Sequence, residues 1–101
     1  MARWWEGAGV RFEVKVEVRP RAGIADPEGA TVGRALRALG FAGIGESTGV
    51  RVGKLIEFEL ESPDTPTARD EVDSMCHTLL SNPVIEDYSF EVRAVGPGSG
   101  D

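Results

Sequence analysis

The chain has 101 residues, with 17 acidic against 11 basic side chains and a formal charge of −6, so it has room for one small domain. The acidic balance argues against a nucleic-acid surface, which needs clustered cations. A single cysteine, Cys76, excludes an internal disulfide framework and any paired-cysteine metal site, and no apolar run approaches the ~20 residues of a membrane span. A cytoplasmic location is expected.

Residues 1–9 form an N-terminal extension carrying Trp4 and Trp5, either a disordered lead or an aromatic anchor for a partner. The domain is placed at 10–95, and the glycine-rich residues 96–101 read as a flexible tail.

Residues 10–19 alternate strictly. Val10, Phe12, Val14, Val16 and Val18 share one face and Arg11, Glu13, Lys15, Glu17 and Arg19 the other, the pattern of a half-buried strand ending at Pro20. Asp26-Pro27-Glu28 opens a helix, with Asp26 as cap and Pro27 where no N–H is needed. Val32, Leu36 and Leu39 make its apolar stripe, Gly33 marks a close packing contact, and Gly40 is the expected C-cap. A glycine-rich connection over 41–49 leads to a second strand at about 50–61, with a bulge or bend at Gly53 beside Lys54.

Ser62-Pro63-Asp64-Thr65-Pro66 leads into a second helix capped by Thr65 or Asp64. Its predicted stripe is Ala68, Val72, Met75 and Leu79, flanked by Cys76 and Leu80, and Asn82-Pro83 ends it. The last strand runs over about 85–94, with Tyr88, Phe90 and Val92 on one face. The order β-α-β-α-β predicts an α+β two-layer sandwich: an antiparallel sheet with both helices on its apolar face. A three-stranded sheet also has edges that need pairing or protection.

No catalytic set emerges. His77 stands alone, and a metal site needs converging ligands. Cys76 sits near a helix C-terminus, where the dipole opposes a thiolate, and reads as a structural thiol. Glu57, Glu59 and Glu61 form an acidic row that suits pairing with Arg11, Lys15, Arg19 or Arg93 better than a metal cage. Arg51-Val52-Gly53-Lys54 is the most suggestive cationic patch: either a bent strand start or a holder for a phosphate.

Four segments resemble the PurS family, the small subunit of phosphoribosylformylglycinamidine synthase. They are the alternating valine strand; Asp26-Pro27-Glu28-Gly29 with Ala35-Leu36-Arg37-Ala38-Leu39-Gly40; Val50-Arg51-Val52-Gly53-Lys54; and the run from Cys76 to Tyr88, which contains Asn82-Pro83-Val84-Ile85-Glu86-Asp87-Tyr88. The resemblance covers about residues 11–93 and does not reach the tryptophan extension or the tail. It implies a non-catalytic subunit of a ligase of de novo purine biosynthesis. That enzyme converts formylglycinamide ribonucleotide to formylglycinamidine ribonucleotide with glutamine, ATP and Mg. The small subunit bridges an ATP-dependent synthetase subunit and a glutaminase subunit and supports ammonia transfer between them. It self-associates as a dimer or tetramer and binds no cofactor, metal, nucleic acid or membrane.

By the same resemblance, Asp26, Pro27, Gly29, Arg51, Gly53, Lys54, Asn82, Pro83, Glu86, Asp87 and Tyr88 are the candidate partner-binding residues. Arg51 and Lys54 stand out, because they interrupt the alternation without an evident folding benefit. The alternative is a regulatory α+β module that binds a small molecule, with the 43–49 loop as a contact.

Overall fold

The structure is a computed structural model that describes residues 9–45 and 49–97. Trp4, Trp5 and the tail beyond Pro97 lie outside the described residues. The elements are β1 (Val10–Pro20), α1 (Pro27–Ala38), β2 (Lys54–Ser62), α2 (Thr65–Met75) and β3 (Glu86–Pro97), with a π-helical turn at Cys76–Leu80 extending α2. The sheet order is β2-β1-β3, and both pairings are antiparallel. The chain is thus α+β with the expected β-α-β-α-β order.

The alternation in β1 decides the core. Phe12, Val14, Val16 and Val18 are all essentially buried, together with Ala68, Val72 and Cys76 from the helical layer. Ile56, Phe58 and Leu60 of β2 and Tyr88, Phe90 and Val92 of β3 pack around them, half-buried because their strands are the sheet edges. On the opposite face charges alternate across the strands. Lys15 stands between Glu57 and Glu91, Arg11 reaches Glu59 at 4.0 Å, and Arg93 pairs with Glu13. The acidic row is therefore a solvated face balanced by its neighbours.

Asp64 caps α2, its carboxylate accepting the Thr67 N–H at 2.8 Å. The Ser62 hydroxyl donates to Glu71 Oε1 at 2.6 Å, and Arg69 lies over the Phe90 ring, so α2 is tied to both edge strands. Its covered row is Ala68, Val72, Cys76 and Leu80, not the predicted Met75 and Leu79. The π turn explains the shift: the Ser81 N–H donates to the Cys76 carbonyl, five residues back, and the extra residue brings Leu80 inward and leaves Leu79 81% exposed. Burial, reinforced by Asp73, pushes the Cys76 thiol above its ordinary range, consistent with a structural role.

Three expectations need correction. First, α1 contributes no residue to the core among the described residues, and its stripe residues Val32 and Leu39 are exposed. Its covered residues are Gly29 and Gly33, which lie against Val50. The connection ahead of β2, rather than the sheet, packs on this helix. Second, β2 starts at Lys54 rather than near 50, because the Val52 N–H is spent on Asp26 and not on a strand partner. Third, Gly96 and Pro97, read as tail, pair with Arg11 and Val10 at the end of β3, beyond a register shift between Arg11 and Phe12.

Candidate functional site

Asp26 is the centre of the first group. One carboxylate oxygen accepts the Gly29 N–H at 2.9 Å and caps α1; the other accepts the Val52 N–H at 2.8 Å. These two backbone bonds, the Gly29 one foremost and with help from Arg51, hold its carboxyl below the usual aspartate range against the opposing effect of burial. Pro27 occupies the first turn, where no N–H is needed. Gly29 is buried where a side chain would strike the Val50 carbonyl and the Asp26 carboxylate. Gly53 lets the chain pass the end of β1, since a Cβ there would stand 2.5 Å from the Val18 carbonyl. The motif residues other than Arg51 and Lys54 thus build a clamp that fixes the 50–53 segment. Arg51 and Lys54 flank the pass and are exposed.

The second group turns the chain from the helical layer into β3. The Asn82 N–H donates to Glu86 Oε1 at 2.7 Å, while Asn82 Oδ1 accepts the Val84 N–H at 3.2 Å. The Asn82 carbonyl accepts the N–H groups of Ile85 and Glu86. Pro83, within this turn, cannot continue the helix. Asp87 pairs with Arg21 at 3.4 Å. The Tyr88 hydroxyl donates to Asp73 Oδ1 at 2.7 Å, and this bond chiefly pushes its pKa up to about 12.

The sheet register brings the two groups together. Val18 of the central strand faces Lys54 on one side and Tyr88 on the other. Residues 26–29, 51–54 and 82–88, far apart in sequence, therefore meet around the C-terminal end of β1. Arg21, one residue past that strand, joins them: its N–H donates to the Ile85 carbonyl at 2.9 Å and its side chain holds Asp87.

Arg51 and Lys54 differ from the rest of this assembly. Neither has a carboxylate within ion-pair distance among the described residues. The other motif residues have internal partners or backbone duties. Two participants carried no sequence signal. Asp73 sits on the open side of α2 and finds Tyr88 only through the fold, and Arg21 follows the strand-ending proline as an ordinary loop cation.

A second feature lies at the β2 edge. Phe58, Leu60, Met75, Leu79 and Leu80 line a largely apolar groove of about 650 Å³ between that strand and the helical layer. The outer backbone edge of β2 has no strand partner among the described residues. No helix of the described residues is long and apolar enough to cross a membrane.

Comparison with known proteins covers most of the folded region. Residues 13–94 match the family model PurS, described as phosphoribosylformylglycinamidine (FGAM) synthase. The PurS subunit of that synthase from Synechocystis is 42% identical over 84 residues, covering 83% of this chain and 81% of the relative. The crystal structure of Bacillus subtilis PurS superposes with a TM-score of 0.71 at 36% identity, covering 81% of this chain and 98% of that one. A PurS-like chain in the structure of PurLQS from Thermotoga maritima gives a TM-score of 0.69 at 34% identity, covering 84% and 98%. The chain belongs to the PurS family and is a subunit of phosphoribosylformylglycinamidine synthase.

Proposed function

We propose that this subunit is the non-catalytic bridge of the synthase, holding the ATP-dependent synthetase subunit and the glutaminase subunit together so that ammonia passes between their sites. The PurLQS assembly of Thermotoga maritima, which contains a chain of this fold, supports the choice of those two partners. ATP and magnesium serve the chemistry of the synthetase subunit. The observation that carries the proposal is the pair Arg51 and Lys54. They are exposed cations with no carboxylate within ion-pair distance among the described residues, positioned by a clamp whose other members are internally satisfied. A fixed, exposed pair of cations suits contact with a complementary acidic surface and gives orientation and specificity. Asp26, Pro27, Gly29 and Gly53 place that pair, while Asn82, Pro83, Glu86, Asp87 and Tyr88 complete the same end of the sheet.

Self-association belongs to the same reading. The open β2 edge and the apolar groove beside it offer backbone hydrogen bonds and Leu79 to a second copy, giving a dimer or a tetramer.

Reconstitution tests the bridge. The synthetase and glutaminase subunits of the same source are combined with and without this chain, and product is measured with glutamine and with ammonium. The expected result is that glutamine-driven synthesis needs the chain and ammonium-driven synthesis largely does not. The Arg51→Glu/Lys54→Glu variant is expected to lose the glutamine-driven activity alone. Indifference of both activities to the chain overturns the proposal.

A further inference from the structure

The arginines of the described residues divide sharply. Arg11, Arg19, Arg21 and Arg93 are each paired with a carboxylate, and Arg69 is stacked on Phe90. Arg34, Arg37 and Arg51 form no ion pair and stack on no ring among the described residues: Arg34 donates to Thr31 Oγ1, Arg37 donates to the Gly45 carbonyl, and Arg51 acts on the Asp26 carboxylate only from beyond ion-pair distance. All three line one groove of about 820 Å³ between α1 and the segments around it. Arg21 lines it as well. In a chain of net charge −6, gathering three guanidinium groups without an ion pair among the described residues around one hollow runs against the overall balance.

Among the described residues the one carboxylate lining the groove is Asp26, and both of its oxygens already accept backbone N–H groups. Its pull on Arg51 is electrostatic and leaves that guanidinium, like the other two, without a direct carboxylate contact among the described residues. The groove's size falls within the few hundred to ~1,000 Å³ typical of small-molecule sites. Ile24 and Val50 are its larger apolar side chains, and much of the remaining wall is glycine and alanine, which leaves backbone accessible. An acidic protein segment would want more apolar surface for its anchors. Planar guanidinium forks match phosphate oxygens two at a time.

We propose that this groove is a binding site of the subunit itself for a nucleotide-sized phosphate ester. Arg34, Arg37 and Arg51 hold the phosphate groups, and Ile24 and Val50 contact the less polar end. The site goes beyond the bridging role, which requires no ligand on this chain.

Calorimetry on the full chain tests it, with ADP, ribose 5-phosphate, adenosine and a hexaglutamate peptide as probes, at low and at physiological salt. The expected result is binding of ADP, weaker binding of ribose 5-phosphate, none of adenosine, and loss of affinity with added salt. Arg34→Gln/Arg51→Gln is expected to weaken ADP binding by about tenfold or more. Circular dichroism and thermal melts verify that the variant stays folded, and Arg34→Lys/Arg51→Lys, which keeps the charge but loses the fork, is expected to fall between. The proposal is overturned if ADP binds more weakly than about 1 mM at low salt. It is equally overturned if the variants bind ADP like the parent, or if hexaglutamate binds as tightly as ADP and displaces it in Lys54→Glu, which would mark the groove itself, apart from the Arg51–Lys54 face, as a docking place for an acidic protein segment. Reconstituted glutamine-driven activity is scored separately, so failure of the phosphate site and failure of the bridging role are distinguishable.

Discussion

Asp26 and Val52, 26 positions apart, are joined by a 2.8 Å hydrogen bond from the Val52 amide to the carboxylate that also caps α1. One side chain therefore fixes both the start of α1 and the approach to β2. Removing it in Asp26→Ala is expected to lower Tm by roughly 5 °C, the size expected from loss of a cap. The folded-state pKa of Asp26 lies below its unfolded value. Its contribution is thus fully present above the ordinary aspartate range near 4 and is lost as pH falls through the lowered folded pKa. Urea melts of the parent and Asp26→Asn should converge on acidification; a gap independent of pH would contradict the assignment.

Gly29 and Gly33 should respond oppositely to the same substitution. Alanine is the better helix former by about 1 kcal/mol, so Gly→Ala should stabilise where space allows. At Gly33 the nearest obstacle is the flexible end of Arg37 at 3.3 Å, and Gly33→Ala is expected to raise stability by a few tenths to about 1 kcal/mol. At Gly29 the obstacles are the Val50 carbonyl and the capping carboxylate, and Gly29→Ala is expected to cost about 1–3 kcal/mol despite the propensity gain. Chemical denaturation of the two variants side by side checks the contrast.

Tyr88 is the sole tyrosine, so its ionisation can be followed by phenolate absorbance without overlap from another tyrosine. Its hydrogen bond to Asp73 pushes its pKa up to about 12. The raised value means that its stabilising effect is present below the unfolded pKa near 10 and is lost as pH rises toward the folded value. The folded parent should show little phenolate at a pH near 11. Asp73→Asn should bring the titration back toward the ordinary range, and an unchanged midpoint in that variant would count against the contact.

Leu79 and Val72 separate association from folding. Leu79 is 81% exposed and Val72 fully buried. Leu79→Glu is expected to leave the thermal melt of a dilute sample within about 0.5 kcal/mol while shifting sedimentation toward smaller species. Val72→Ala is expected to cost about 2 kcal/mol of stability. Unchanged sedimentation in Leu79→Glu would remove the β2-edge groove from the self-association surface.

The strands were legible from period-2 patterning, complete in β1 and partial in β2 and β3; the alternation of Val10 to Val18 alone specified the central face. Helix starts were nearly as legible: Asp26-Pro27 named the cap of α1, while Asp64-Thr65-Pro66 left two candidates for α2, of which the structure uses Asp64. The covered side of each helix was harder to read. In α1, apolar Val32 and Leu39 suggested the buried side, yet backbone proximity to Val50 favoured the side without side chains, at Gly29 and Gly33. In α2 the π turn altered the phase after Met75, which a constant 3.6-residue period cannot anticipate. The family motifs pointed to the end of the sheet that contains Arg51 and Lys54. Arg34 carried no motif and Arg37 stood in one only as a helix residue, and both became visible only when the fold showed which arginines lack an ion pair.

The strand order has a consequence for how the chain acquires its structure. β1 is made first, yet it is the central strand, and its partners begin at Lys54 and Glu86. Among the described residues the sheet contains no hairpin between adjacent strands. Every ladder must close a long loop before any pairing is gained, so folding should be slow for a domain of this size. During synthesis the valine face of β1 stays uncovered until α2 and β3 have left the ribosome. In that interval its alternating Arg, Glu and Lys residues are the chain's chief protection against pairing with other nascent strands.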